Sequence, residues 1–434
     1  MNKTLYDLDR ATALRKSTAE EIERAQLPLL KNHLRQAATV PFYKKLFDGA
    51  GLDIDGLQSI KELSNLPFTT RTDLDASPEK FGSGKESDFR DIALTSGTTG
   101  EAVIVPYTAN DLERLAFNET MGYLGAGVTQ EDRLMLTVTL DRCFIAGLAY
   151  YSGATRLGAT AIRSGPGQPE RQWHVIRTLK PRVIVGVPAF LYGLGRWGLE
   201  NGIDVGRCSI DTIVTIGEPA RQADHSPTPL GGRLIDIWQA RLASSYGATE
   251  LETAFCECGQ GKGGHVHPEL MLVEIVGDDG TVLPNGTSGE VVVTPLGVEG
   301  FPLVRFKTGD IARLHSDPCG CGWNSKRLGA VEGRLAQRLK YRGTTIYPEM
   351  IFNVLQEIEG VSAGYVEVRL AADGSDDVTV VVGVEKEIGA GRLEESLQAR
   401  LRVRPQVQVR TGEQVERVMT ADGGRKPRKF FDYR

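Results

Sequence analysis

The sequence predicts an α/β protein: a large N-terminal domain of parallel-type sheets with a β-subdomain, then a small α+β C-terminal domain. Three observations carry this. Short β-rich runs alternate with helical stretches from about 90 to 245, the pattern turns to hairpin strands over 271–315, and a mixed β/α tail follows. Buried strands alternating with helices mark a largely parallel sheet covered by helices.

Residues 1–45 read as helical, with apolar positions returning through Leu27, Leu30, His33, Leu34 and Ala37. Ile92–Leu94, Arg133–Val138, Arg182–Val187 and Thr212–Ile216 each resemble a buried strand ended by a turn, with helices expected at 109–125 and 170–179. Leu272–Val276, Gly289–Thr294 and Asp310–Leu314 read as hairpin strands separated by Asp278-Asp279-Gly280 and Pro284-Asn285-Gly286. The tail predicts a helix at 348–358, strands at 364–370 and 377–384 joined by an Asp373-Gly374 turn, a helix at 390–401 and a strand at 406–411. The expected domains are 1–333, containing the β-subdomain at about 271–315, and 334–434.

Composition narrows the function. With 434 residues, 41% apolar and 25% charged, the chain has ordinary globular usage. Its 51 Lys+Arg against 56 Asp+Glu give a net charge of -5, which offers no basic field for nucleic acid or an anionic membrane. No apolar run approaches the roughly 20 residues that span a bilayer. Six Cys are too sparse for a disulfide scaffold, and Met1–Tyr6 lead into charged helical sequence rather than a signal peptide. The expectation is a cytoplasmic enzyme with reduced thiols, and a homodimer is left open.

The strongest local signal is Thr95-Ser96-Gly97-Thr98-Thr99-Gly100 after a strand-like run. Two glycines let backbone N–H groups approach an anion and four hydroxyls add donors, so the loop suits a polyphosphate. Gly100 is followed by Glu101-Ala102, which separates it from a P-loop. Tyr246-Gly247-Ala248-Thr249-Glu250 places a carboxylate beside a hydroxyl after a turn. Phe306-Lys307-Thr308-Gly309-Asp310 places one at a strand start, able to accept from two ribose hydroxyls. Gly333-Arg334 and Lys340-Tyr341-Arg342-Gly343 lie at the expected domain boundary. Cys256, Cys258, His265, His267, Cys319 and Cys321 form two clusters that could supply a tetrahedral zinc set. Cys143 and Cys208, in apolar surroundings, read as core residues.

In this order the motifs resemble the adenylate-forming acyl-CoA synthetases, and among them phenylacetate–CoA ligase. The likeness includes Leu66-Pro67-Phe68-Thr69-Thr70, Gly153–Thr160, Gly217-Glu218-Pro219, Arg305 with Thr308-Gly309-Asp310, and Ile346-Tyr347-Pro348. It implies that a carboxylate attacks the α-phosphorus of ATP, giving an acyl-adenylate and pyrophosphate, after which coenzyme A displaces AMP. It implies that Thr95–Gly100 cradle the phosphates, with Thr98 and Thr99 as side-chain donors. Thr249 would contact the α-phosphate, Glu250 would hold Mg²⁺, and Asp310 would bind the ribose. Gly217, Glu218, Pro219, Tyr246 and Gly247 would flank the nucleotide, with Arg334 nearby.

The catalytic lysine of the family falls on Lys426, with Lys429 as the fallback, although Arg425 stands where relatives have Gly. The likeness selects Cys258, His265, Cys319 and Cys321 for a structural zinc. It places the acid pocket near Phe144, Tyr150 and Ile216, suiting an aromatic acid, with Arg142 in the same stretch reading more simply as a surface ion pair. The C-terminal domain would be a mobile lid. At the hinge, Ala336 and Gln337 stand where relatives carry acidic residues, which opens two alternatives. One is a non-CoA acceptor, whether an amine, a carrier protein or a large cofactor substrate. The other is a catalytically reduced, zinc-stabilised nucleotide-binding protein.

Overall fold

The computed structural model describes residues 6–76, 80–95, 102–341, 344–371, 376–421 and 427–434. The chain divides into two compact units, Met1–Thr308 with Ala312–Ala330, and Gly309–Ile311 with Val331–Arg434.

The first unit opens with three helices, Leu8–Lys16, Ala19–Ala37 and Pro41–Ala50. The break after the first is a capping box: Glu21 N–H donates to Thr18 Oγ1 (3.3 Å) and Thr18 N–H to Glu21 Oε2 (2.9 Å). The second helix buries Leu30, His33, Leu34 and Ala37. His33 Nε2 lies 2.8 Å from Leu303 O, and burial pushes its pKa down to about 4, so it serves this stripe as a neutral core group.

A six-stranded sheet follows, in spatial order Thr160–Arg163, Arg133–Leu136, Val183–Gly186, Thr212–Thr215, Arg241–Ala248 and Thr253–Cys256. The first five run parallel and the last is antiparallel. Strand side chains alternate between faces. Leu134, Leu136, Val183 and Val185 pack with Tyr123, Tyr150 and Ala154 of helices Ala109–Gly125 and Ile145–Leu157. Met135, Ile184 and Ile213 pack on the other face with Trp173, Leu191 and Trp238. Covering both faces explains why the central strands read as continuous apolar runs.

The strand expected at Ile92–Leu94 belongs elsewhere. Phe89–Leu94 pairs antiparallel with Ile104–Thr108 in a separate hairpin. Only one face of it is covered, so Ala93 is buried while Ile92 and Leu94 are exposed. Leu94 N–H donates to Cys143 O at 3.0 Å, docking the hairpin onto the loop after Arg133–Leu136.

The β-subdomain is built on Met271–Val276 paired antiparallel with Ser288–Pro295, joined in one sheet by Phe306–His315, Arg327–Leu328 and Gly264–His265. Arg114 fastens it to the α/β layer. Its fully buried guanidinium donates to Leu296 O (2.8 Å), Glu252 O (2.6 Å), Leu270 O (2.6 Å) and Thr253 Oγ1 (2.9 Å).

In the second unit, strands Gln406–Thr411, Asp376–Val384, Val361–Leu370 and Phe430–Asp432 form a sheet in that order, packed against helices Pro348–Gln356 and Ala390–Leu401. The sequence reading omitted the helix Gly412–Met419, capped by Thr411 and Gln414, and the last strand, which runs parallel to Val361–Leu370. The Asp373-Gly374 turn lies outside the described residues. Among the described residues no helix is long and apolar enough to cross a membrane.

Candidate functional site

Because the five strands are parallel, their carboxyl ends meet at one edge of the sheet, where α/β folds place ligands. That edge carries the loop through Phe144, the turn Ile216-Gly217-Glu218-Pro219 and the segment Tyr246–Glu250. Gly217 takes a left-handed conformation (φ 76°) that reverses the chain directly after its strand. Glu218 Oε2 accepts from Ala189 N–H at 3.0 Å, so this carboxylate sits at the N-terminus of helix Pro188–Glu200. Tyr246 stacks on Phe255, with ring centroids 6.0 Å apart and planes inclined 14°.

Strand Arg241–Ala248 runs into a 3₁₀ turn, Thr249–Leu251, that presents Thr249 and Glu250. Tyr107 OH reaches Thr249 O at 3.5 Å, so the hairpin that leads into Thr95 lies against this turn. Thr95 itself is buried. Its Oγ1 accepts from Val103 N–H at 2.9 Å and closes the base of the loop, while Ser96, Gly97, Thr98, Thr99 and Gly100 lie outside the described residues.

Of the residues suggested for the acid pocket, Tyr150 and Ile216 share one buried cluster, and Phe144 is half-buried at the start of helix Ile145–Leu157. Tyr150 OH donates to Ser245 Oγ at 3.0 Å, and Tyr123 OH donates to Tyr150 O at 3.1 Å. Cys143 is exposed rather than in the core. Arg142 and Cys143 are consecutive left-handed residues (φ 60° and 53°), in a sharp turn that carries the thiol outward.

In the second unit, Asp310 pairs in register with Arg334, and Arg334 Nε approaches Asp310 Oδ1 at 3.3 Å. Leu335–Gln337 form a 3₁₀ turn. Lys426 lies outside the described residues. Lys429 O accepts from Val366 N–H at 2.9 Å, and the Lys429 ammonium lies 5.7 Å from the Phe352 ring centroid.

The second cluster is the Cys/His set. One ligand atom from each of Cys258, His265, Cys319 and Cys321 falls within 4.8 Å of all the others. Cys258 Sγ and Cys319 Sγ are 3.6 Å apart, and Cys321 Sγ is 3.3 Å from His265 Nε2. A tetrahedral Zn²⁺ with Zn–S of about 2.3 Å and Zn–N of about 2.0 Å has S···S edges of about 3.8 Å and S···N edges of about 3.5 Å. The donor set therefore fits that ion. His265 Nδ1 lies 3.1 Å from Ser325 Oγ, which orients Nε2 toward the thiols. Burial, with the Arg327 cation adding to it, pushes His265 down to about 4 and keeps the imidazole neutral. Burial pushes the Cys258 thiol up to about 12, a state that a bound cation would reverse. The two other candidates go elsewhere: Cys256 is in the core, and His267 Nδ1 lies 2.7 Å from Arg15 Nη2.

Residues 24–298 match the family model described as AMP-binding enzyme. The chain belongs to the AMP-binding enzyme family. Within it the chain is an adenylate-forming enzyme of the phenylacetate–CoA ligase-like group. The phenylacetate-coenzyme A ligase of Thermus thermophilus is 31% identical over 332 residues, 75% of this chain and 73% of that one. The phenylacetate-coenzyme A ligase of Escherichia coli K12 is 30% identical over 363 residues, 80% of this chain and 79% of that one. A crystal structure of 2-hydroxyisobutyryl-CoA ligase, in the postadenylation state in complex with R3-HIB-AMP, superposes with a TM-score of 0.84 over 96% of this chain and 91% of that one. At 20% identity that likeness is one of fold.

One residue of this AMP-binding enzyme escaped the motif reading, and another was part of a motif with no role assigned. Arg71 Nη1 donates to Glu250 Oε1 at 3.0 Å, so the proposed metal carboxylate already has a cationic neighbour. Its signal was present, since Arg71 directly follows Leu66-Pro67-Phe68-Thr69-Thr70. Arg305 is buried and grips both Glu274 oxygens at 3.0 Å, donates to the carbonyls of Ser64 and Leu66, and lies 4.1 Å from the Phe68 ring centroid. Its place in the motif is structural: it fixes the segment from which Arg71 reaches Glu250.

Proposed function

We propose that the enzyme activates an aromatic carboxylic acid with Mg-ATP to an acyl-adenylate. It then transfers the acyl group to coenzyme A, releasing AMP and pyrophosphate. The observation that carries this reading is the convergence of Phe144, Ile216–Pro219, Tyr246–Glu250 and the hairpin leading into Thr95 at the carboxyl edge of one parallel sheet. A carboxylate is a poor electrophile at neutral pH, and adenylation supplies the leaving group. The protein's task is to hold acid and α-phosphorus together and to offset charge on the transferring phosphoryl group.

On this reading the Thr95–Gly100 loop holds the phosphates, Thr249 the α-phosphate and Glu250 the Mg²⁺. Gly217–Pro219, Tyr246 and Gly247 flank the nucleotide, while Asp310 and Arg334 serve the ribose and phosphates. Phe144 and Ile216 wall the acid pocket with Tyr150 behind them. Lys426, on the C-terminal lid domain, bridges the acid carboxylate and α-phosphate. Cys258, His265, Cys319 and Cys321 hold a structural Zn²⁺, with no open coordination position for chemistry. A second reading, transfer to an acceptor other than coenzyme A, is favoured by Ala336 and Gln337 in the Leu335–Gln337 turn, which lacks a carboxylate.

The test is ATP-dependent pyrophosphate release over a panel of aryl and aliphatic acids, with and without coenzyme A. An aryl acid that drives release, with AMP and acyl-CoA accumulating, is the expected result. Acid-dependent release that coenzyme A does not accelerate supports the second reading. ATP binding without release under any acid would overturn both.

A further inference from the structure

The turn proposed to flank the nucleotide and the Cys/His cluster are joined by one loop. After Gly217-Glu218-Pro219, residues 220–228 form a tight hairpin, closed by the pairing of Arg221 with Pro227 and by hydrogen bonds from Gln222 N–H to Ser226 O (2.8 Å) and Thr228 N–H to Ala220 O (3.0 Å). Arg221, at its base, points at the metal-ligand segment. Its Nε donates to Glu257 Oε2 at 3.1 Å and its Nη2 to Leu242 O at 3.0 Å. The ion pair is shielded, with side-chain exposures of 13% and 4%.

Glu257 immediately precedes Cys258, and it is held on every side. Its Oε2 also accepts from Ser244 N–H (2.9 Å), its Oε1 from Gly263 N–H (3.4 Å), and its backbone bridges Gly264 beside His265. Gly261, whose N–H donates to Cys258 O at 3.0 Å, sits so close that a Cβ there would lie 2.5 Å from Arg221 Nη2. The far end of the loop touches the other arm of the cluster. His225 packs on His315, with ring centroids 4.8 Å apart, and His315 pairs with Arg327, which pairs with His265. The loop is thus braced against both chain segments that supply the four ligands.

We propose that Arg221 is a positioning residue that sets the Gly217–Pro219 turn from the Cys/His cluster, so that metal occupancy governs nucleotide affinity. This rests on the reading that the cluster binds Zn²⁺ and the turn flanks the nucleotide. A closed metal site holds Cys258 and its neighbours in one geometry. Glu257 passes that geometry to Arg221 through the hydrogen-bonded ion pair between Oε2 and Nε, and Arg221 passes it three residues back to the turn. Without the metal, the carboxylate loses its fixed place and the turn loses one wall of its support.

The experiment uses the full-length protein as purified with its metal. Metal content, the ATP dissociation constant by calorimetry and the acid KM are measured for wild type, Arg221→Gln and Arg221→Lys, before and after chelation. Arg221→Gln is expected to keep one metal per chain, bind ATP about tenfold more weakly and leave the acid KM within twofold. Arg221→Lys should recover most of the loss. Chelating wild type should weaken ATP by a similar factor, and chelating Arg221→Gln should add less than twofold, since both interrupt one linkage. Should Arg221→Gln not yield folded protein, the same comparison is read on Glu257→Gln, which removes the charge of the ion pair from its other side. Metal-loaded Arg221→Gln binding ATP like wild type, or two losses that multiply in full, would overturn the coupling alone. A wild type that holds no metal or no ATP would overturn the underlying reading, and the coupling with it.

Discussion

Glu119 lies in the layer behind the proposed acid pocket and offers a sharp test of the energetics of that layer. Its side chain is buried between helices Ala109–Gly125 and Ile145–Leu157, with Gly153 pressed against its Cβ and Asn118 Nδ2 donating to Oε1 at 3.1 Å. Burial raises its pKa from 4.5 to about 8, and the Asn118 hydrogen bond offsets only part of that. Between these two values the folded protein holds a proton that the unfolded chain has released. Stability contributed by this group is therefore full below pH 4.5 and is lost as pH rises toward about 8. At about 1.4 kcal/mol per pH unit, the ceiling over that window is about 5 kcal/mol. Glu119→Gln keeps the shape and an acceptor for Asn118 but does not titrate. The assay is urea denaturation from pH 5 to 8, followed by tryptophan fluorescence, because all four tryptophans (173, 197, 238 and 323) lie in the first unit. The variant should match wild type near pH 5 and exceed it by about 2–5 kcal/mol at pH 8. Stability curves that run parallel within about 0.5 kcal/mol across the range would refute the reasoning.

Three further outcomes follow from other parts of the molecule. Cys319→Ser should lower metal content and thermal stability together, measured by elemental analysis and a melting curve, since a closed site contributes to folding. Lys426→Ala should abolish acyl-adenylate formation and spare acyl transfer from a preformed adenylate, whereas Lys429→Ala should retain both. The two half-reactions are assayed separately, and a Lys426→Ala enzyme that adenylates at the wild-type rate moves the role to Lys429. Arg305→Lys keeps the charge but breaks the two-pronged grip on Glu274 and the contacts to Ser64 O and Leu66 O, so it should cost about 3 kcal/mol in urea denaturation.

What was legible in the sequence follows from how local its cause is. Val183–Gly186 and Thr212–Thr215 declared themselves because both faces are covered, which leaves an unbroken apolar run. Helix Ala109–Gly125 is legible from its cap, Thr108 with Asp111. Ile92–Leu94 carried the same β-rich composition, yet nothing local separates a docked hairpin from a sheet strand. Its assignment depends on a bond to Cys143, 49 positions beyond Leu94 in the chain. The short helix Gly412–Met419 was missed although Thr411 and Gln414 cap it, because eight residues give the apolar period barely two turns. In the site, Thr249 and Glu250 were readable as a motif. The partnership of Glu250 with Arg71 was not, since ion pairing across 179 positions leaves no periodic trace. The choice of Cys258 and His265 over Cys256 and His267 turns on where the strands Thr253–Cys256 and Gly264–His265 end, because residues two apart share a face of a strand and spacing alone does not separate them.

The buried guanidinium of Arg114 has a consequence for the order in which the chain assembles. Its acceptors lie 138 to 182 positions downstream, so none of the four bonds can form until the loops between them have closed. Closure of such long loops comes late on a folding path, after local helices and neighbouring strands have formed. An interaction made after the transition state slows unfolding while leaving the folding rate almost unchanged. Arg114 therefore acts as a latch on the native state: its loss would shorten the lifetime of the folded chain far more than it would delay its formation.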